Sequence, residues 1–132
     1  MRVATYSRVS TETQELQSQK TELAEHVKNK NWILVEEIED FGFSGSTKNR
    51  PGLKRLNELV FKGKIDAVII SRLDRMFRSV LDMVQTAHSY HDESKVSIIS
   101  LREQIDLSSS VGRLQFHILS ALSEFENSLI SS

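Results

Sequence analysis

The spacing of apolar residues changes period several times along the chain, and each change marks a predicted element. Met1 to Ser7 reads as a strand, with Val3 and Thr5 alternating against Ala4 and Tyr6. A short turn, Arg8-Val9-Ser10, follows. Helical spacing then takes over from about Thr11 to Asn29, where Leu16, Leu23, Ala24 and Val27 share one face. Thr11 with Gln14 fits a capping box at its start. Trp32 to Ile38 is a second run of strand length, ending in a polar, glycine-containing loop from Glu39 to Asn49. Pro51 opens another helix, on which Leu53, Leu56, Leu59 and Val60 have helical spacing, and Gly63 suits its C-terminal cap.

Ile65 to Ile70 is nearly all apolar, the pattern of a strand covered on both faces. A charged loop, Arg72 to Arg78, precedes a helix marked by Val80, Val84 and Ala87. Lys95 to Leu101 is a fourth strand, followed by a loop from Arg102 to Ser110. Strands alternating with helices imply crossovers and a largely parallel sheet between helical layers. The expected fold is therefore α/β, a mostly parallel central sheet of four to five strands flanked by helices, with a long C-terminal helix. On that helix Leu114, Ile118, Ala121, Phe125 and Leu129 form one stripe, and Leu119 and Leu122 lie on another side. A helix apolar on two sides must bury both. It either packs wholly within the domain or also meets another subunit, and the pattern leaves both open.

Composition narrows the class. The 132 residues fit one domain, with 39% hydrophobic and 27% charged residues. Without cysteine there is neither a disulfide framework nor a zinc-thiolate site, which suits a reducing cytoplasm. The N-terminus has no secretory pattern, and no apolar stretch approaches the roughly 20 residues needed to cross a membrane. The net charge of −1 is unusual for a complete DNA-binding protein, whose affinity rests on many contacts from Lys and Arg to phosphate.

The distribution of charge matters more than its sum. In open α/β sheets, sites form at the carboxyl ends of the strands. Arg8 and Ser10 follow the first strand, Asp40, Ser44 and Arg50 the second, and Arg72, Asp74, Arg75 and Arg78 the third. That is five arginines and a serine at one end of the sheet. Guanidinium groups match phosphate geometry and stay charged, and a hydroxyl beside them is a candidate nucleophile. Taken singly, each residue has a plainer explanation. Ser10 suits a helix cap, Gln14 and Gln19 suit a cap and a solvated face, and Asp74 suits a salt bridge. Their common placement favours a phosphodiester site. His88 and His91 have helical metal-ligand spacing but no evident third ligand, so no metal is assigned. There is no Gly-x-Gly-x-x-Gly or P-loop signature, so no cofactor is assigned and a nucleotide-binding signalling domain is disfavoured. Gly42, Ser44 and Gly45 make only a weak anion nest.

Four stretches resemble the resolvase/invertase family of serine site-specific recombinases. They are Tyr6-Ser7-Arg8-Val9-Ser10-Thr11, Asp40-Phe41-Gly42-Phe43-Ser44-Gly45 with Arg50-Pro51, Leu73-Asp74-Arg75-Met76-Phe77-Arg78, and Leu119 to Glu126. They stand in family order and cover nearly the whole chain. The short span from Ser10 to Gln19 is more similar to small resolvases and invertases than to large integrases. The resemblance implies a catalytic domain over residues 1–132 in which Ser10 attacks a DNA phosphodiester, giving a 5′-phosphoserine bond and a free 3′-hydroxyl. It implies that Arg8, Arg75 and Arg78 hold the phosphate, with Arg50 assisting. Asp74 then orients an arginine or handles a proton at the leaving oxygen. Gln14, Gln19, Asp40 and Ser44 fall in the positioning set. It also implies DNA as partner and a homodimer that assembles to a tetramer in the synapse, with no membrane, metal or cofactor. The chain departs from the family at Asn127, where an arginine is usual, and stops at Ser132, so the DNA-binding domain is expected outside it. A catalytically silent oligomerising module that regulates recombination is the alternative.

Overall fold

The computed structural model describes residues 1–9, 13–42, 50–106, 112, 114–118 and 121–122. Of the residues singled out in the sequence, Ser10, Thr11, Ser44, Gly45, Leu119, Phe125, Asn127 and Leu129 lie outside these. The elements run β1 (Arg2–Val9), α1 (Thr13–Asn29), β2 (Ile33–Phe41), α2 (Pro51–Phe61), β3 (Ala67–Ile70), a 3₁₀ turn (Leu73–Arg75), α3 (Val80–Ser94), β4 (Ser97–Ser100) and β5 (Ile105–Asp106). The five strands form one sheet in the order β2-β1-β3-β4-β5. All neighbours are parallel except the β4–β5 pair.

Period-two and period-3.6 patterning explains the layers. Alternate residues of β1 face opposite sides of the sheet. Val3 packs with Ile69, Ile99 and, from α1, Leu23 and Val27. Ala4 and Tyr6 face the other way, with Val68, Ile70, Ile98 and residues of α2 and α3, among them Leu56, Val60, Met83 and Tyr90. Thus α1 covers one face and α2 with α3 the other. Central β3 is buried along its length, as its unbroken apolar run requires.

Two boundaries differ from the sequence pattern, and both matter for the site. Arg8 and Val9 continue β1 and do not form a turn, and Glu39 to Phe41 continue β2. The two extensions stabilise each other by pairing Arg8 with Asp40 and Val9 with Phe41. β5 lies within the segment expected as loop; two residues are too short to show a period. At the C-terminal end, 112, 114–118 and 121–122 are helical. Phe116 is the residue that docks into the main core there, whereas Leu114, Ile118 and Leu122 are exposed on one side. The sequence pattern left open whether this stripe packs within the domain or against another subunit; Leu114 and Ile118 are outward-facing. Among the described residues, no helix is long and apolar enough to cross a membrane.

Candidate phosphodiester site

The chain reaches β2 from β1 in one direction and β3 from β2 in the other, so the strand order reverses between β1 and β3. Such a reversal splays the flanking connections apart and leaves a crevice at the carboxyl ends. β3 stops at Ile70, opposite Tyr6, so the β3-side edge of Arg8 has no strand partner. Gln19 of α1 takes that role. Its Oε1 accepts from the Arg8 N–H at 3.3 Å, and its Nε2 donates to the Arg8 carbonyl at 3.1 Å. Gln19 is buried, so this carboxamide satisfies two main-chain groups that would otherwise lack partners. It was expected to act near Ser10, and its observed contact is with the main chain of Arg8.

The Arg8 side chain reaches from β1 to the 3₁₀ turn after β3. Its Nε donates to the Arg75 carbonyl at 3.0 Å and one terminal nitrogen to the Asp74 carbonyl at 2.8 Å. Arg8 therefore fixes the main chain that carries Asp74 and Arg75. Arg8 as a residue is only 6% exposed. Burial, and then the neighbouring charge of Arg50, hold its pKa below the ordinary arginine value.

Arg50 precedes Pro51, the first residue of α2. It is 3% exposed, and one terminal nitrogen donates to the Met76 carbonyl at 2.7 Å. Its Nε and other terminal nitrogen have no partner among the described residues. The guanidinium carbon lies 5.8 Å from the centre of the Tyr6 ring.

Asp40 anchors this group from below. The Tyr6 hydroxyl donates to one of its oxygens at 2.6 Å, and the Gly52 and Leu53 N–H groups donate at 2.7 and 3.1 Å. Arg50 gives α2 no side-chain cap, so the carboxylate of Asp40 caps that helix from β2. The fit is close: a Cβ on Gly52 would stand 2.7 Å from the Glu39 carbonyl oxygen and 2.9 Å from Asp40 Cγ. Burial, and then the bond to Asp40, push the Tyr6 pKa far above the ordinary phenol value, so the hydroxyl stays a donor. Asp40 was expected to position substrate. It is 2% exposed and committed to protein groups, because the helix N-terminus and Tyr6 together occupy both of its oxygens.

Arg75 and Arg72 stand nearer the surface. Both donate to the same oxygen of Glu15, on the first turn of α1, Arg72 at 3.0 Å. Asp74 is 70% exposed, with one oxygen 3.5 Å from Arg72 Nε and 4.0 Å from Arg75 Nε. Arg78 is exposed beyond the turn. Its N–H donates to Asp82 at 3.1 Å, and its guanidinium contacts none of the other arginines among the described residues. Gln14 is exposed on the first turn of α1.

The structure thus joins Arg8, Arg50, Asp74 and Arg75 into one set and keeps Arg78 at its margin. Two buried arginines, Arg8 and Arg50, lie at this end of the sheet beside the buried carboxylate of Asp40. An arrangement of this charge suits an anionic ligand. Sequence reasoning placed Arg72 at this sheet end and Tyr6 in the first motif without giving either a role, and it passed over Glu15, whose place one residue after Gln14 gave no sign of its partners.

The architecture is that of serine recombinase catalytic domains. The N-terminal catalytic domain of TP901-1 integrase superposes with a TM-score of 0.90 at 36% identity, covering 98% of both chains. A resolvase family site-specific recombinase from Streptococcus pneumoniae gives 0.84 at 30% identity, covering 99% of this chain and 91% of that one. The chain belongs to the family described as Resolvase, N terminal domain, which matches residues 3–132. It is 39% identical over 125 residues to DNA-invertase hin of Salmonella typhimurium, covering 95% of this chain and 60% of that protein. It is 38% identical over 127 residues to the transposon Tn552 DNA-invertase BinR of Staphylococcus aureus, covering 95% and 61%. The chain therefore spans about three fifths of the length of these curated relatives.

Proposed function

We propose that residues 1–132 are the catalytic domain of a site-specific DNA recombinase, whose DNA-binding domain lies elsewhere in the protein, and that Ser10 is its nucleophile. The observation that carries this reading is the buried arginine set at the switch point. Ser10 is the next residue after Val9, the last of β1, and β1 carries Arg8 into that set.

In the proposed reaction the Ser10 oxygen attacks a DNA phosphorus in line. The bond from phosphorus to the 3′ oxygen breaks, the 5′ phosphate becomes a phosphoserine ester, and the 3′ oxygen leaves as a hydroxyl. Arg75, with Arg78 from the adjoining loop, stabilises the charge on the phosphate oxygens. Arg8 holds the main chain of Arg75 in place through its two carbonyl contacts. Arg50 offers two unpartnered nitrogens to the same anion. Asp74 orients Arg72 and Arg75, as its distances to them favour. Gln14 and Ser44 are assigned to position the nucleophile or its phosphate. The arginines supply the charge that a divalent ion supplies in many phosphoryl transfers, so cleavage is expected to proceed in EDTA. One ester replaces another of similar energy, so the reverse attack by a 3′-hydroxyl reseals the strand without ATP.

Exchange of two duplexes requires several subunits. The exposed stripe Leu114, Ile118 and Leu122 supports a homodimer that assembles to a tetramer in the synapse, acting on DNA in the cytoplasm. The test uses the full-length protein, DNA carrying its recombination site, and EDTA. A covalent protein–DNA adduct should survive denaturation with the wild type and vanish with Ser10→Ala and Arg75→Ala. No adduct from the wild type would favour the silent regulatory module, and an adduct that requires a divalent ion would refute the arginine mechanism.

A further inference from the structure

The contacts at the mouth of the crevice carry one more assignment, which rests on the phosphodiester reading above. We propose that Arg72 joins Arg75 as a clamp for a DNA phosphate, and that the Glu15 carboxylate holds the clamp until the phosphate displaces it. One oxygen of Glu15 lies between the two guanidinium groups, 3.0 Å from Arg72 and paired also with Arg75. A nonbridging phosphate oxygen would make the same contacts, because carboxylate and phosphate present like acceptors to the guanidinium fork.

The other arginines of the site are not exchangeable in this way. Arg8 and Arg50 are buried and tied to the carbonyls of Asp74, Arg75 and Met76, which must stay paired. Among the described residues Arg72 donates to no main-chain carbonyl, and its second partner, Asp74, is 3.5 Å away and largely exposed. Glu15 and Arg72 are partly exposed, and pairs of this kind contribute little to stability, so opening one costs little. Glu15 enters from α1 while the arginines follow β3, so the pair spans the crevice that DNA would enter. Directly beneath lies a polar cleft of about 250 Å³ lined by Glu15, Gln19, Ser71, Arg72 and Arg102. Ser71 is buried, and its hydroxyl has no partner among the described residues. Once Glu15 swings out, this cleft gives the phosphate room and one more donor. The incoming anion replaces an outgoing one, so neither arginine is left uncompensated during the exchange.

The measurement is fluorescence anisotropy of a short duplex of random sequence with the full-length protein, between about 50 and 200 mM salt. Glu15→Gln should bind roughly three- to fivefold tighter, the fold-change of one released surface pair. Its salt dependence should keep the wild-type log–log slope, because the same phosphate is neutralised in both proteins. Glu15→Ala should give a similar gain at the same slope, which guards against a defect peculiar to glutamine. The gain should vanish in Glu15→Gln/Arg72→Gln. Glu22→Gln, which removes a carboxylate from the same cleft without touching the clamp, should leave binding unchanged. Unchanged or weaker binding by both Glu15 variants would overturn the inference, as would an equal gain from Glu22→Gln or a gain that persists without Arg72. If the wild type forms the covalent adduct while these results fail, the clamp assignment alone falls. If no protein in the series binds DNA, the phosphodiester reading falls with it.

Discussion

Asp40→Asn isolates the electrostatic support of the site with almost no change of shape. The buried carboxylate accepts from Tyr6 at 2.6 Å, Gly52 at 2.7 Å and Leu53 at 3.1 Å. The amide keeps one acceptor oxygen, which the Gly52 N–H can retain. Its nitrogen then meets the Leu53 N–H, a donor facing a donor, and the Tyr6 hydroxyl must turn to accept. Weakening charge-assisted bonds costs about 1.5–3 kcal/mol. Loss of the helix-end charge interaction adds up to about 1 kcal/mol. A net destabilisation of about 2–4 kcal/mol follows, against a total stability of about 5–15 kcal/mol for a domain. Asp40→Ala, which strands all three donors, should cost about 3–5 kcal/mol, each buried donor left without its acceptor costing about 1–3 kcal/mol. Tyr6→Phe removes one bond and should cost about 1–2 kcal/mol. Urea unfolding followed by the single tryptophan, Trp32, gives these differences directly. Asp40→Asn should also lose DNA cleavage, since α2 and Arg50 shift together. An Asp40→Asn protein within about 0.5 kcal/mol of the wild type, the usual effect of a neutral surface change, would refute this account of the cap.

Three further outcomes are expected. Gln19→Ala leaves the N–H and C=O of Arg8 without their partner and should destabilise by about 2–4 kcal/mol in the same urea assay, two buried main-chain groups being affected. His26 has a pKa held below its ordinary 6.5, first by burial and then by Lys30, so the folded chain prefers it neutral. The unfolded chain therefore binds the proton first, and stability contributed by neutral His26 should decline as pH falls below about 6.5, a loss that His26→Gln should abolish in melting curves. Leu114, Ile118 and Leu122 lie four residues apart on one exposed helical face, so Ile118→Glu should shift sedimentation toward monomer while preserving the melting temperature; a wild type that is monomeric at every concentration would refute that self-association.

Much of the fold was legible because period and burial coincide. The apolar run at β3 and the amphipathic spacing of Leu16, Leu23 and Val27 each allow one packing arrangement. The ends of β1 and β2 were not legible, because Arg8, Glu39 and Asp40 are polar residues that local propensity assigns to loops. Long-range pairing of Arg8 with Asp40, and the carboxamide of Gln19, override that preference. The gathering of arginines at one sheet end was readable from element order alone. The division of labour within it was not: whether Arg8 faces a ligand or a carbonyl depends on the path of the 3₁₀ turn. Phe116 was passed over because the more regular stripe of Leu114 and Ile118 drew the assignment, yet that stripe is exposed.

The central claim, that Ser10 carries the DNA through the reaction, is tested most directly by mapping the covalent bond. The full-length protein is incubated in EDTA with a nicked substrate carrying the recombination site, so that cleavage cannot be reversed. The trapped adduct is then digested with protease and nuclease, and the nucleotide-bearing peptide is sequenced by mass spectrometry. The account predicts one modified peptide from the N-terminal region, with a 5′-nucleotide phosphate on Ser10 and none on Ser7 or Ser44. A phosphate on any other side chain, or cleaved DNA with a free 5′ end and no attached peptide, would contradict it.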